Sequence, residues 1–289
     1  MIIGALGTWL ALRYALARAL VDEPGERRSH STPTPRGGGI ALATAVAVAS
    51  TAMMVRHPSA IVPLATFVLG TAAVAAVGFI DDHRPLSARL RLFVHVVAAC
   101  LFGLGLVAGG APAWVAGTTV VTCIGLTNVW NFMDGIDGIA ASQAAIVAAV
   151  LAALASGVWA WIAVALAAAC IGFLPFNFPR ARIFMGDVGS GTLGFALAGL
   201  GGAAAAISPE PRAVLAMLAM AASAFAVDAC LTLARRIVRR ERWWMPHTQH
   251  AYQVAARAWG HRRVTMGYAA WTAASIVASA GVQRAGGDK

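Results

Sequence analysis

IVPLATFVLGTAAVAAVGFI, residues 61–80, runs for 20 residues without a charge and then meets DDHRPLSARLR, residues 81–91. A helix needs about 20 apolar residues to cross a hydrocarbon core of roughly 30 Å, and this run has that length. Comparable runs fall near 2–20, 39–56, 91–109, 113–130, 138–156, 158–176, 189–207, 212–234 and 263–282, which makes ten spans. The weakest is 113–130, short and holding Thr118, Thr119, Thr122 and Thr127. With mean hydropathy +0.72 and only 12% charged residues, the chain reads as a polytopic membrane protein. Backbone polar groups in lipid must be satisfied within the segment, and the Ala/Leu/Val/Gly runs lack the alternation of a membrane barrel. The expected fold is therefore all-α, with residues 1–289 as a single transmembrane domain.

The net charge of +10 raises the question of nucleic acid. The arginines, however, are scattered among loops beside spans and form no patch interleaved with aromatics, so no nucleic-acid partner is expected. Loops 21–38, 81–90, 131–137, 177–188 and 235–262, with adjoining span ends, hold 18 of the 22 Arg and Lys residues. The positive-inside rule places that side in the cytoplasm and both termini outside. Nine of the 12 Asp and Glu residues fall on the same side, so the chemistry is expected to face the cytoplasm. Arg13 and Arg18 follow the first apolar run, unlike the basic start of a cleaved signal peptide. Cys100, Cys123, Cys170 and Cys230 sit singly in apolar runs and read as small core residues.

Polar constellations interrupt the spans. In GFIDDHRPLSARLR (78–91), Asp81 and Asp82 are adjacent, which suits either a shared cation or a solvated helix end whose arginines bind anionic headgroups. TNVWNFMDGIDGIA (127–140) adds Asn128, Asn131, Asp134 and Asp137. Helix capping can account for Asp137 but not for the remaining polar residues. PFNFPRARIFMGDVGSGTLG (175–194) carries Asn177, Arg180, Arg182, Phe184 and Asp187 before Gly189, Gly191 and Gly194. A dinucleotide fold is excluded because no strand precedes these glycines. Glycine amides opening a helix suit phosphate instead, and Asp187 beside them can hold a divalent metal.

RRIVRRERWWMPHTQHAYQ (235–253) sets His247 and His250 three apart beside Trp243 and Trp244. RSHSTPTPRGGGIA (28–41) brings Arg28, His30 and Arg36 to the same side, either as a flexible loop or as a gate over an anionic ligand. Asp228 lies inside the ninth run at a depth too great for direct metal contact and reads as structural. Four acids at span ends in distant segments are costly near lipid unless they share a role. A Mg²⁺ site ringed by Arg and His suits phosphoryl transfer between a soluble nucleotide and a lipid. A secondary transporter or flippase for an anionic substrate is the reading from another class. It is disfavoured because the acids lie at one face and no inverted repeat is visible.

From TPTPRGGG to HTQHAYQ the chain resembles the polyprenyl-phosphate N-acetylhexosamine-1-phosphate transferases. The shared motifs are DD after the third span, NVWNFMDGIDG, FNxP...FMGDxGS and a late His motif, in that order. The resemblance implies a bacterial inner-membrane enzyme joining a UDP-N-acetylhexosamine to undecaprenyl phosphate, with Mg²⁺, or Mn²⁺ in its place, as cofactor and a homodimer as assembly. By the same resemblance Asp187 is the metal ligand with Asp82 in support, and Asp81 is the acid that assists the lipid phosphate. Asp137, Asn177 and Phe184 hold the uridine, with Phe184 stacked on the base, and His247 and His250 face the diphosphate or sugar. Asn131, Asp134 and Arg36 complete the expected substrate site. The muramoyl-pentapeptide branch has three histidines followed closely by an acid. HTQHAYQ lacks this, which turns the expectation toward enzymes that initiate O-antigen.

Overall fold

The computed structural model describes residues 1–23, 32–241 and 248–287. Its helices are α1 (Ile2–Ala17), α2 (Ile40–Arg56), α3 (Ile61–His83), α4 (Ala88–Ala108), α5 (Ala113–Met133), α6 (Ile139–Leu154), α7 (Gly157–Asn177), α8 (Asp187–Ile207), α9 (Pro211–Ala221), α10 (Ser223–Val238), α11 (Ala251–Trp259) and α12 (His261–Gly287). A two-stranded ribbon, β1 (Val21–Asp22) and β2 (Thr34–Pro35), pairs Asp22 with Thr34 between α1 and α2. Helices α4, α5, α7, α8 and the Pro58–His83 segment are long and apolar enough to cross a membrane. A sixth span is made if α9 and α10 count as one, although they meet at a 67° bend. Helices α1, α2 and α6 are apolar but shorter. The chain is thus an all-α, multi-pass membrane protein, and large apolar side chains such as Leu69, Leu104, Val121 and Trp161 face outward.

Helix α8 is the hub. Every residue from Val188 to Ala205 is buried, and the helix packs against α5, α3, α9, α2 and α6. In lipid there is little hydrophobic force between helices, so close backbone approach at small residues does the work. The glycines of GDVGSGTLG supply it. A side chain at Gly189 would collide with Gly39 of the α2 entry, and one at Gly194 with the backbone of Leu126 and Thr127 in α5. These glycines are packing residues, and the opening amides are taken within the protein, those of Asp187 and Val188 by the Asp82 carboxylate and those of Gly189 and Ser190 by the Gly186 carbonyl, which corrects the expectation that amides here form a phosphate cradle.

The threonines that made 113–130 look weak satisfy themselves. Thr118, Thr119 and Thr127 donate to the carbonyls of Trp114, Val115 and Cys123, four residues back. Their hydroxyls therefore need no partner in lipid, and α5 runs its full 21 residues. Two boundaries differ from expectation. The run at 212–234 is broken at Ala222, and much of the expected loop 235–262 is helical, as the end of α10 and as α11.

Gly194→Ala is expected to cost about 1–3 kcal/mol through overpacking. Gly117→Ala, where an added methyl meets nothing within 4 Å, is expected to gain up to about 1 kcal/mol of helix propensity. Paired melting curves in detergent measure both.

Candidate active site

The C-terminal ends of α3, α5 and α7 meet the N-terminal end of α8 around a cavity of about 180 Å³, lined by Asp22, Arg36, Asp82, Asn131, Asp134, Gly135, Ile136, Asn177, Phe184, Gly186, Asp187, Ser190 and Gln253. Antiparallel packing alone brings these ends to one side of the bundle. Of the residues expected at the site, Arg36, Asp82, Asn131, Asp134, Asn177, Phe184 and Asp187 line this cleft together.

Asp82 closes its floor. Buried at the last turn of α3, it accepts hydrogen bonds from the amides of Asp187 (3.0 Å) and Val188 (3.2 Å) at the start of α8. A helix N-terminus presents unpaired N–H groups and a positive dipole end, and here the protein's own carboxylate answers both. Gly186, at φ +75°, turns the chain into α8, and its α-hydrogen faces the Asp82 carboxylate, where a side chain would collide. Arg36 donates to the Asp82 carbonyl, tying the ribbon to the same point. Asp82 was expected to support a metal. Each of its oxygens accepts one backbone amide.

Asp81 lies outside the cleft lining but is coupled to it. Arg91, on the first turn of α4, donates to Asp81 at 2.8 Å and to Asp187 at 2.5 Å, and Asp81 also accepts from the Leu86 amide at 2.6 Å. Asp134 caps the end of α5 without a side-chain hydrogen bond among the described residues. Burial, and then the nearby carboxylates of Asp187, Asp82 and Asp137, push its carboxyl up to about 8. Asn131 donates to Ser190 at 3.1 Å. Asn177 lines the cleft, yet it accepts from Gly138 N–H at 2.9 Å and donates to the Ile183 carbonyl at 2.9 Å. Its carboxamide is engaged at both ends in shaping the two loops.

Two expected site residues point elsewhere. Asp137 turns to α12, where its carboxylate lies 3.2 Å from His261 and its carbonyl accepts from Thr265. His250 caps α11, buried, with Nδ1 3.3 Å from Asp228 and its ring stacked on Phe132 and Tyr252. It does not line the cleft. His247, Arg28, His30, Trp243 and Trp244 lie outside the described residues. Asp228 is the anchor of this corner. It accepts from the amides of Ala251 and Tyr252 (2.9 Å each) and from the Tyr268 hydroxyl (2.6 Å), and Tyr252 in turn donates to the Phe132 carbonyl at 3.0 Å beside Asp134.

Sequence reading missed Asp22 and Gln253. Asp22 looked like one more loop charge, and only its pairing opposite Thr34 brings it to the cleft. The break at Gly260 that makes α11 a separate helix was the available signal for Gln253.

Among the described residues, no three His, Cys, Asp or Glu side chains form a ready-made metal cage. The donor set still fits a hard divalent ion. Among the described residues, Asp22, Asp82, Asp134 and Asp187 line the cleft against one cation, Arg36, and the Asp134 oxygens have no hydrogen-bond partner. Mg²⁺ is commonly held by one or two carboxylates plus water and substrate phosphates.

Fold and cleft together define a polytopic helical membrane protein with an acidic site where helix ends meet. Residues 64–205 match the model of glycosyl transferase family 4. The chain is 31% identical over 309 residues to the decaprenyl-phosphate N-acetylglucosaminephosphotransferase of Mycobacterium leprae, with 89% of this chain and 77% of that protein covered. Its match to the protein of the same description from Mycolicibacterium smegmatis, at 32% identity, covers 65% of this chain and 53% of that protein's length. A phospho-N-acetylmuramoyl-pentapeptide-transferase of Heliobacterium modesticaldum is 28% identical, with 96% of this chain and 92% of that protein covered. The chain belongs to glycosyl transferase family 4.

The raised Asp134 carboxyl predicts a pH dependence. Its folded pKa of about 8 lies above the ordinary 3.8, so the stability it contributes is complete below about pH 4 and is lost as pH rises through 8. With divalent cations chelated, the melting temperature is expected to fall across that window. Asp134→Asn is expected to flatten the dependence.

Proposed function

We propose that this protein transfers an N-acetylhexosamine-1-phosphate from a UDP-sugar to undecaprenyl phosphate, releasing UMP and forming an undecaprenyl-diphospho-sugar. The observation that carries the reading is the convergence of Asp134 and Asp187 with Arg36, Asn131 and Phe184 in one cleft, in a chain whose relatives are named as sugar-phosphate transferases acting on polyprenyl phosphate or on a muramoyl-pentapeptide. In this reading the bundle has ten spans, with α9 and α10 as one bent span. Both termini lie outside, and the cleft opens to the cytoplasm of a bacterial plasma membrane, in a homodimer.

A lipid phosphate oxygen attacks the β-phosphorus of the UDP-sugar as the bond to the UMP oxygen breaks. Two anions must approach one another, so the chief need is charge neutralisation and alignment. Asp187 and Asp134 would hold Mg²⁺, which supplies Lewis-acid stabilisation of the phosphoryl oxygens when bound. Asp82 keeps Asp187 in place through the start of α8. Arg91 sits between Asp81 and Asp187, so Asp81 sets where that guanidinium rests and assists the incoming lipid phosphate from there. Phe184 offers its ring to the base.

The donor sugar is an N-acetylhexosamine of O-antigen initiation, UDP-GlcNAc or a 6-deoxy analogue. The second reading, a UDP-MurNAc-pentapeptide donor, is favoured by the long match to the Heliobacterium protein and opposed by the absence of an acid after the late histidines. Side-by-side assay of UDP-GlcNAc, UDP-FucNAc and UDP-MurNAc-pentapeptide with undecaprenyl phosphate and Mg²⁺ decides between them. UMP release from the first two supports the initiating role, and release from the third alone overturns it. Asp187→Asn is expected to lower Mg²⁺-dependent turnover by at least about a thousandfold with the melting curve preserved, and near-native activity would refute the metal assignment.

A further inference from the structure

Three carboxamides line the cleft, and they differ in what is left to offer a ligand. Asn177 is engaged at both ends and Asn131 at one. Gln253 makes no side-chain hydrogen bond among the described residues, although it is only 8% exposed and its Oε1 is buried without a partner. Buried polar groups in native proteins are nearly always paired. One left unpaired in the wall of a cleft is matched by what the cleft binds.

Its position is held from both sides. Asp228 fixes the first amides of α11, including that of the adjacent Tyr252, and the Tyr252 hydroxyl is pinned to the Phe132 carbonyl. The amide lies against Gly135, where any side chain would strike the Tyr252 hydroxyl and crowd Gln253 Nε2. Gln253 is therefore presented next to Asp134 on a short, anchored helix, which is how a reading group is kept in register.

A carboxamide offers one acceptor and one donor group side by side. The orphaned acceptor needs an N–H or O–H. Ionised lipid phosphate has neither, whereas a nucleotide-sugar has both, in its base, its ribose, its hydroxyls and its acetamido group. We propose that Gln253 is a specificity-determining residue that reads an N–H or O–H donor of the nucleotide-sugar and takes no part in holding the lipid phosphate. This rests on the transferase reading above and narrows it.

The test uses the purified full-length protein with UDP-GlcNAc, UMP and undecaprenyl phosphate. For Gln253→Met, which keeps the length and removes the hydrogen bonding, the KM for UDP-GlcNAc is expected to rise about tenfold, the worth of one hydrogen bond. The KM for undecaprenyl phosphate should stay within about twofold. A parallel loss of UMP affinity would assign the contact to the nucleoside, and unchanged UMP affinity would assign it to the sugar. Either supports the proposal. Equal rises in both KM values, or no change in either, overturn it.

Should Gln253→Met fail to fold, the wild-type protein labelled with ¹⁵N-glutamine answers the question. The Gln253 side-chain amide resonance is expected to move on addition of UDP-GlcNAc and to stay fixed with undecaprenyl phosphate alone, and the reverse pattern or no movement overturns the assignment. A wild-type protein that releases no UMP from any UDP-N-acetylhexosamine overturns the transferase reading itself. Turnover by the wild type with Gln253→Met indistinguishable from it overturns only the role of Gln253.

Discussion

The Asp82 carboxylate on the opening amides of α8 is the contact on which the cleft depends. It joins the end of one membrane helix to the beginning of another, 105 residues apart in sequence. An anion at a helix N-terminus is worth about 1 kcal/mol when exposed and up to about 2 when partly buried, and removing it would also leave buried N–H groups unpaired. The consequence is directional. With its backbone held by Asp82, Asp187 projects from the first turn of α8 into the cleft, and Gly186 must stay a glycine because the carboxylate occupies the space a side chain would need.

Asp228 performs the same operation at the opposite wall. Both carboxylates cap a helix that begins at the cleft, and both are themselves buried. α11 would otherwise be a nine-residue helix, too short to be stable on its own in water. Capping by a residue of α10, with the Tyr252 hydroxyl tied back to the end of α5, makes it part of the bundle. Past the 67° bend that follows α9, α10 carries this anchor.

How much of this was legible depended on the scale of the signal. Apolar runs a helix long mark helices, and every expected run coincides with one or with the bent α9–α10 pair, although five of these helices, or six with that pair counted as one, are long and apolar enough to cross a membrane. That Asp134 and Asp187 lie at one face also followed, because antiparallel spans return their alternate ends to one side, whereas their meeting in one cleft is seen only in the fold. What did not follow was the orientation of individual side chains. Asp82 and Asp81 are neighbours, but one helical step of about 100° sends one to the α8 amides and the other to Arg91. GDVGSGTLG read as a phosphate cradle because exposed glycine amides and glycine packing surfaces look identical in sequence. Only the neighbouring helix separates them.

The electrostatics of the cleft then explain how its acids can be held in one place within a largely apolar protein. Here Arg91 bridges Asp81 and Asp187, and Arg36 holds the Asp82 carbonyl, so the described cations are directed at one side of the cleft. Asp134 has no side-chain partner for its oxygens among the described residues and is driven toward the neutral form by burial and by its acidic neighbours. A site built for structure alone would have paired it, as Asp228 is paired five times over by Thr232, His250, Ala251, Tyr252 and Tyr268. The contrast separates two kinds of carboxylate in this molecule. One kind is saturated by the protein and holds helices together, whereas the other is left incomplete where a charged ligand must enter.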